Sequence, residues 1–216
     1  MGISIIILLV SLVILLLSVV IHELAHGYVA YSLGDPTAKY AGRLTLNPLK
    51  HLDSFGSVIL PLLLLLATAG QGPIFGWAKP VPVNPYNFKD QKWGSLKVAI
   101  AGPITNFLLA LIFALINRFL PLAAEIKSNI IFSFFTGQQD VLSSLLSQQS
   151  PLSLLFLFFF IVSFYNFLWG IFNLVPIAPL DGSWIIFSFF PQSLMRVRMF
   201  LQQYGLFILI FFIFLG

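Results

Sequence analysis

Residues 3–21 form an unbroken uncharged run, ISIIILLVSLVILLLSVVI, that passes directly into His22-Glu23-Leu24-Ala25-His26. A helix of that length crosses most of a bilayer's hydrocarbon core, so the polar pentapeptide belongs at the end of a membrane span or inside it. On a helix, His22 and His26 are four positions apart and share one face. Both imidazoles can then reach a single Zn²⁺, with Glu23 beside the metal's open position. This pattern suits hydrolysis, because such a metal polarises a carbonyl and lowers the pKa of its water to about 7. The bland alternative is a buried hydrogen-bonded cluster. Charged groups in a span cost about 3 kcal/mol each on insertion scales and seldom occur there without a polar task.

Composition points the same way. With 59% hydrophobic and 8% charged residues, the chain is far from the quarter or so of charged residues that a soluble domain carries. Phe, at 24 copies, outnumbers Trp and Tyr together, which fits lipid-facing and interhelical packing. The chain has no Cys, so disulfides and thiolate metal sites are excluded. The net charge of +4 comes from basic residues scattered through the expected loops, the pattern of juxtamembrane charge, and no nucleic-acid partner is expected. The N-terminal run lacks a basic start and a small-residue cleavage site, so it reads as a span and not as a signal peptide.

Helix 1 is expected over about residues 3–33, ending at Gly34-Asp35-Pro36. It would be about 46 Å long against a core of about 30 Å, which leaves the HELAH turn within the membrane toward the exit side. Residues 57–69 are apolar but contain Pro61, and Pro73, Pro80, Pro82 and Pro85 forbid a helix in the stretch that follows. Helix 3 is expected over about 95–120, a polar outer loop over 121–150 with one apolar patch, and helix 4 over about 151–174. A loop at 176–182 and a C-terminal helix over about 199–215 complete a single domain covering 1–216. The expected fold is an all-α polytopic membrane protein with about four to six transmembrane helices and a re-entrant β-like element.

If the HELAH turn and the later Asp181 meet at one depth, residues 54–94 begin and end on the same side of the membrane. They then form a re-entrant unit, which is tolerated where backbone at membrane depth is buried in protein. Nine of the eleven Lys and Arg residues fall on that side, and only Arg118 and Lys127 fall on the other. By the positive-inside rule, the N-terminus is outside and the motif faces the cytoplasm. The expected location is the cell membrane, as a multi-pass protein with its site toward the cytoplasmic side.

A catalytic zinc needs a third protein ligand. Asp35, Asp53, Asp90, Glu125 and Asp140 lie in polar loops, and Glu23 is taken as base. Asp181 remains, just after Pro176 and Pro179 break helix 4; it could instead cap the segment starting at Ser183. The third histidine, His51, is read as a surface residue beside Lys50.

HELAH on a first core helix, Ala-Gly-Pro-Ile-Thr-Asn at 101–106 and Asn-Leu-Val-Pro-Ile-Ala-Pro-Leu-Asp-Gly at 173–182 together resemble the site-2 protease family of intramembrane zinc metalloproteases. Gly-Trp-Ala-Lys-Pro-Val-Pro-Val at 76–83 resembles its compact bacterial and archaeal branch, without room for a PDZ or CBS domain. The resemblance implies one Zn²⁺ per chain held by His22, His26 and Asp181, with Glu23 as general base. It places Asn173 near the metal, to bind substrate backbone or an oxyanion, although an interhelical hydrogen bond would serve as well. Asn106 is a further candidate for substrate contact, or with Gly102 for helix packing.

The proline-rich run has a mechanical rationale. A peptide bond in a membrane helix must be unwound before it is cut, and pairing with an exposed strand edge holds a substrate extended. Residues 75–83, with Trp77, Lys79 and Val81, are candidates for that edge; a structural hairpin that limits water access is the other reading. The expected activity is endoproteolysis of single-span membrane proteins within the lipid bilayer. The rivals are a non-hydrolytic membrane zinc-binding or transport protein and a silent scaffold. A transporter needs ligands along a path, where this chain has one compact set, and a scaffold has no use for Glu23.

Overall fold

The computed structural model describes residues 2–68, 78–148 and 151–215. Among these residues no strand forms, and four helices are long and apolar enough to cross a bilayer: Ile5–Ser32, Gly94–Phe119, Pro151–Asn173 and Met195–Phe212. The chain is an all-α polytopic membrane protein.

Helix α1 runs from Gly2 to Ser32. It stops where Gly34 takes a positive φ of 106°, and the one-turn helix α2, Thr37–Tyr40, follows Pro36. A 3-10 turn at Pro48–His51 is capped by the Asn47 side chain. A π-helical turn at Ser54–Ile59, capped by Asp53, continues into α3, Leu60–Ala67. Residues 54–67 together fall short of the roughly 20 residues that a span requires. Residues 69–77 are outside the described residues, and Trp77 with them. The β-like element survives among the described residues as one antiparallel bridge, Leu52 with Ala78.

Helix α4 spans Gly94–Phe119 with Pro103 inside it. Where a polar outer loop is expected, two helices form, α5 at Ala124–Thr136 and α6 at Gln139–Gln148. They fold because Ile126, Ile130, Phe134, Leu142 and Leu146 recur at helical spacing and find apolar partners. Helices α7, Pro151–Asn173, and α8, Asp181–Phe187, flank the proline-broken loop. The last helix, α9, begins at Met195, four residues earlier than expected, and ends at Leu215.

The chain divides into two compact units, and α1, α4 and α7 contribute to both. The first unit comprises Met1–Ser18 and Asn106–Gly170. Its core joins Ile14 of α1, Ile130 of α5, Leu142 and Leu146 of α6, and Phe156, Leu157 and Ile161 of α7. Helix α5 runs alongside α7 in the same direction: Lys127 lies over Phe156, Phe134 meets Phe160 and Phe135 meets Phe164. Lys127 Nζ also donates to the carbonyls of Asn117 and Arg118, which satisfies the C-terminal end of α4. A polar relay ties α1, α4 and α7 within this unit. Asn106 Nδ2 donates to Asn166 Oδ1 at 2.8 Å, and Asn166 Nδ2 donates to Ser18 Oγ at 3.0 Å.

The second unit comprises Val19–Thr105 and Ile171–Gly216. Two buried charges organise its loops. Asp35 is fully buried and accepts from Thr37 N–H and Oγ1, Asn84 N–H and Asn87 Nδ2, joining the end of α1 to the 84–87 turn. Arg43 donates to the carbonyls of Lys79 and Pro80. His51, expected at the surface, is fully buried, with Nε2 on the carbonyl of Thr45. Its own carbonyl accepts from Lys79 N–H beside the Leu52–Ala78 bridge, so folding the 78–79 segment over the turn covers it.

Candidate metal centre

The second unit brings the two histidines and Asp181 together. His22 Nε2 and His26 Nε2 lie 3.0 Å apart. Asp181 Oδ2 is 3.0 Å from the first and 3.2 Å from the second. Three donors at 2.0–2.2 Å on a tetrahedral zinc sit about 3.3 Å from one another, so this triangle matches one face of such a site. Among the described residues it is the one group of three or more His, Cys, Asp or Glu side chains with such convergence.

The chemistry of the donors fits a cation. His26 Nδ1 is 2.7 Å from the carbonyl of Val98, which can only accept, so Nδ1 carries the proton. With Nδ1 so engaged, Nε2 faces His22 and Asp181, and in the neutral ring it would offer its lone pair to a metal, the usual arrangement of a metal-binding imidazole. Asp181 Oδ2 is buried, and apart from the two imidazole nitrogens it has no partner. A buried carboxylate oxygen facing two imidazole nitrogens is unfavourable unless a proton or a metal cation lies among them.

Local sequence explains how these atoms meet. Pro103 has no N–H for the carbonyl of Ala99 in α4, next to the Val98 carbonyl on which His26 rests. Gly102 allows α4 to approach: a Cβ there would fall on the imidazoles of both His22 and His26. After α7 ends, Pro176 and Pro179 prevent its continuation, and α8 starts at Asp181 with Leu180 in the cap position and no side-chain capping bond. The Asp181 carboxylate is thus turned to the histidines and does not cap. Gly182 is required behind it, since a Cβ would strike the carbonyl of Leu174.

Glu23 stands beside the triangle, half-buried, with Oε2 accepting the backbone N–H of Val81 at 2.8 Å. A cavity of about 440 Å³ opens onto His22, Glu23, His26 and Asp181, with Asn173, Pro80, Val81, Val83 and Trp184 among its walls. Asn173 and Val81 are both buried. Lys79 is exposed, and its backbone, not its side chain, is tied to His51 and Arg43. Asn106 is fully buried in the first unit with its amide on Asn166.

Three contributors were not singled out by sequence. The Val98 carbonyl carries no side-chain signal at all. Trp184 lies one helical turn beyond Asp181, a spacing that would have drawn attention to it, and it sits 5.4 Å from the guanidinium of Arg198. Arg43 is read from sequence only as one more basic loop residue.

A family model described as peptidase family M50 matches residues 10–215. A protein of Bacillus subtilis named "Putative zinc metalloprotease YwhC" is 39% identical over 184 residues, which cover 85% of this chain and 70% of that protein. A protein of Mycolicibacterium smegmatis named "Putative zinc metalloprotease Rip2" is 30% identical over 102 residues, or 45% of this chain and 36% of that one. No solved structure matches the chain.

Proposed function

The chain belongs to peptidase family M50, and from that premise we propose that it cuts single-span membrane proteins within or near their transmembrane segments, using one zinc ion per chain. It is a membrane-embedded zinc metalloprotease of the site-2 type. The substrates, the single ion, the roles of individual residues and the cytoplasmic orientation in the cell membrane belong to our reading. The observation that carries it is the convergence of His22 Nε2, His26 Nε2 and Asp181 Oδ2 beside a carboxylate, at the wall of a cavity.

In this reading His22, His26 and Asp181 hold the zinc. The ion supplies Lewis-acid polarisation of the peptide carbonyl and acidifies a water near neutral pH. Glu23 accepts the proton of the attacking water at its carboxylate and passes it to the leaving amine. The Val81 N–H keeps Glu23 aimed into the cavity. Asn173, on the cavity wall, offers an amide donor to the developing oxyanion or to substrate backbone. The backbone of residues 79–83 borders the same space and supplies an edge along which an unwound substrate lies extended. The nine basic residues assigned to one side by sequence support the cytoplasmic orientation.

The test uses purified protein and its Glu23→Gln variant with single-span substrates in detergent, measuring zinc and cleavage together. The expected result is equal zinc in both and cleavage by the wild type alone. Equal cleavage by both would remove Glu23 from the reaction. Stoichiometric zinc with no cleavage of any substrate would favour a non-hydrolytic zinc protein.

A further inference from the structure

Residues 79–84 cannot be held by an ordinary strand ladder. Positions 80 and 82 are prolines without an N–H, and the neighbouring pairing is a single bridge. Three of the four N–H groups in this stretch go to scattered acceptors: Lys79 to the carbonyl of His51, Val81 to Glu23 Oε2, Asn84 to Asp35 Oδ2. Two successive carbonyls, those of Lys79 and Pro80, accept from one group, Arg43 Nη2, at 2.5 and 3.3 Å.

Arg43 is an unusual choice for that task. It is only 6% exposed, its Nε is buried without a partner, and among the described residues it makes no ion pair. A buried guanidinium lacking a carboxylate is costly and calls for a compensating role. The Pro80 carbonyl and the Val81 N–H belong to one peptide unit, which is planar and trans, so they point in opposite directions. Arg43 therefore holds one end of that plane and Glu23 the other. The cation and the carboxylate polarise the same amide from its two ends, so each hydrogen bond strengthens the other.

We propose that Arg43 is a positioning residue for Glu23, acting through the Pro80–Val81 peptide as a cation–amide–carboxylate relay. The proposal rests on the hydrolytic reading for its effect on rate, and on the hydrogen-bond geometry alone for its effect on the strand. Losing the guanidinium frees the peptide plane to rotate and lets the base drift, while the metal ligands are untouched.

Arg43→Gln and Arg43→Lys in the full chain test this, with three readouts: zinc content, kcat and KM on a single-span substrate, and amide exchange across residues 79–84. Misplacing a reacting group by about 1 Å costs on the order of 100-fold, so Arg43→Gln is expected to lower kcat by at least about tenfold. Zinc should stay near wild type, exchange at 79–84 should accelerate, and KM should rise along with the fall in kcat, because the same segment borders the substrate cavity. Arg43→Lys, which keeps a cation for the Pro80 carbonyl, should recover most of these losses. An unchanged kcat, a loss confined to KM, equal losses in the two variants, or zinc lost along with activity in both would overturn the proposal. If the wild type cleaves nothing, the hydrolytic reading fails separately. Exchange still decides the relay in that case, and unchanged protection at 79–84 in Arg43→Gln overturns it.

Discussion

The backbone N–H of Val81 donates to Glu23 Oε2 at 2.8 Å across 58 positions of sequence. This one bond joins the proline-rich segment to the residue expected to move the proton. Val81→Pro deletes the donor in a stretch where two neighbours are already prolines, whereas Val81→Ala keeps it. Val81→Pro is expected to lower kcat by about 10- to 100-fold with zinc retained, since the base then lacks its positioning bond. Val81→Ala should lose much less. Steady-state cleavage with parallel zinc analysis checks the pair, and similar losses in both would assign the effect to the side chain.

Gly102 predicts loss of metal without loss of any ligand. A methyl group at this position meets the His22 and His26 rings and must push them from the triangle with Asp181. Gly102→Ala is expected to weaken zinc binding by about tenfold or more, comparable to disturbing the groups that orient metal ligands. Competition with a chromophoric chelator measures it, alongside circular dichroism to show that the helices persist.

The relay through Asn166 predicts a different phenotype. Asn166→Ala leaves the Asn106 amide and Ser18 Oγ without their shared partner. In a membrane interior such a loss costs about 1 kcal/mol. Thermal stability in detergent should fall while zinc affinity stays constant. A variant that loses zinc and keeps its stability would contradict this division of labour.

Asp35 makes stability depend on pH. Burial pushes its pKa up, but the donors from Thr37, Asn84 and Asn87 outweigh that and hold it below the ordinary 3.8. A depressed folded-state pKa means that the unfolded chain binds the proton more readily, so the stabilisation is full above about pH 4 and is lost as pH falls through the folded value. The stability difference between wild type and Asp35→Asn should be constant from neutral pH down to about pH 5 and shrink below about pH 4. Denaturation at a series of pH values checks it, and a difference that grows toward acid would reverse the sign.

Much of this fold is legible in the sequence. The uncharged run before His22, the i, i+4 histidines and the low charge content point to a membrane helix bearing two candidate metal ligands on one face, because helical spacing and the cost of buried charge act locally. Asp181 could be reached by elimination among seven acidic residues. The 121–150 stretch reads as a loop because Ser, Gln and Gly dilute its apolar spacing, and its helices gain their stability by packing on α1 and α7.

Tertiary structure alone decided the rest. That Val98 fixes the His26 tautomer, that His51 is buried, and that Arg43 and Glu23 grip opposite ends of one peptide all depend on backbone groups, which are the same at every residue and leave no mark in a sequence. The sequence by itself determined which side chains could do chemistry, because residue type and helical spacing are local. Only the folded chain, by bringing carbonyls and amides from distant segments within hydrogen-bond reach, decided how those side chains are aimed.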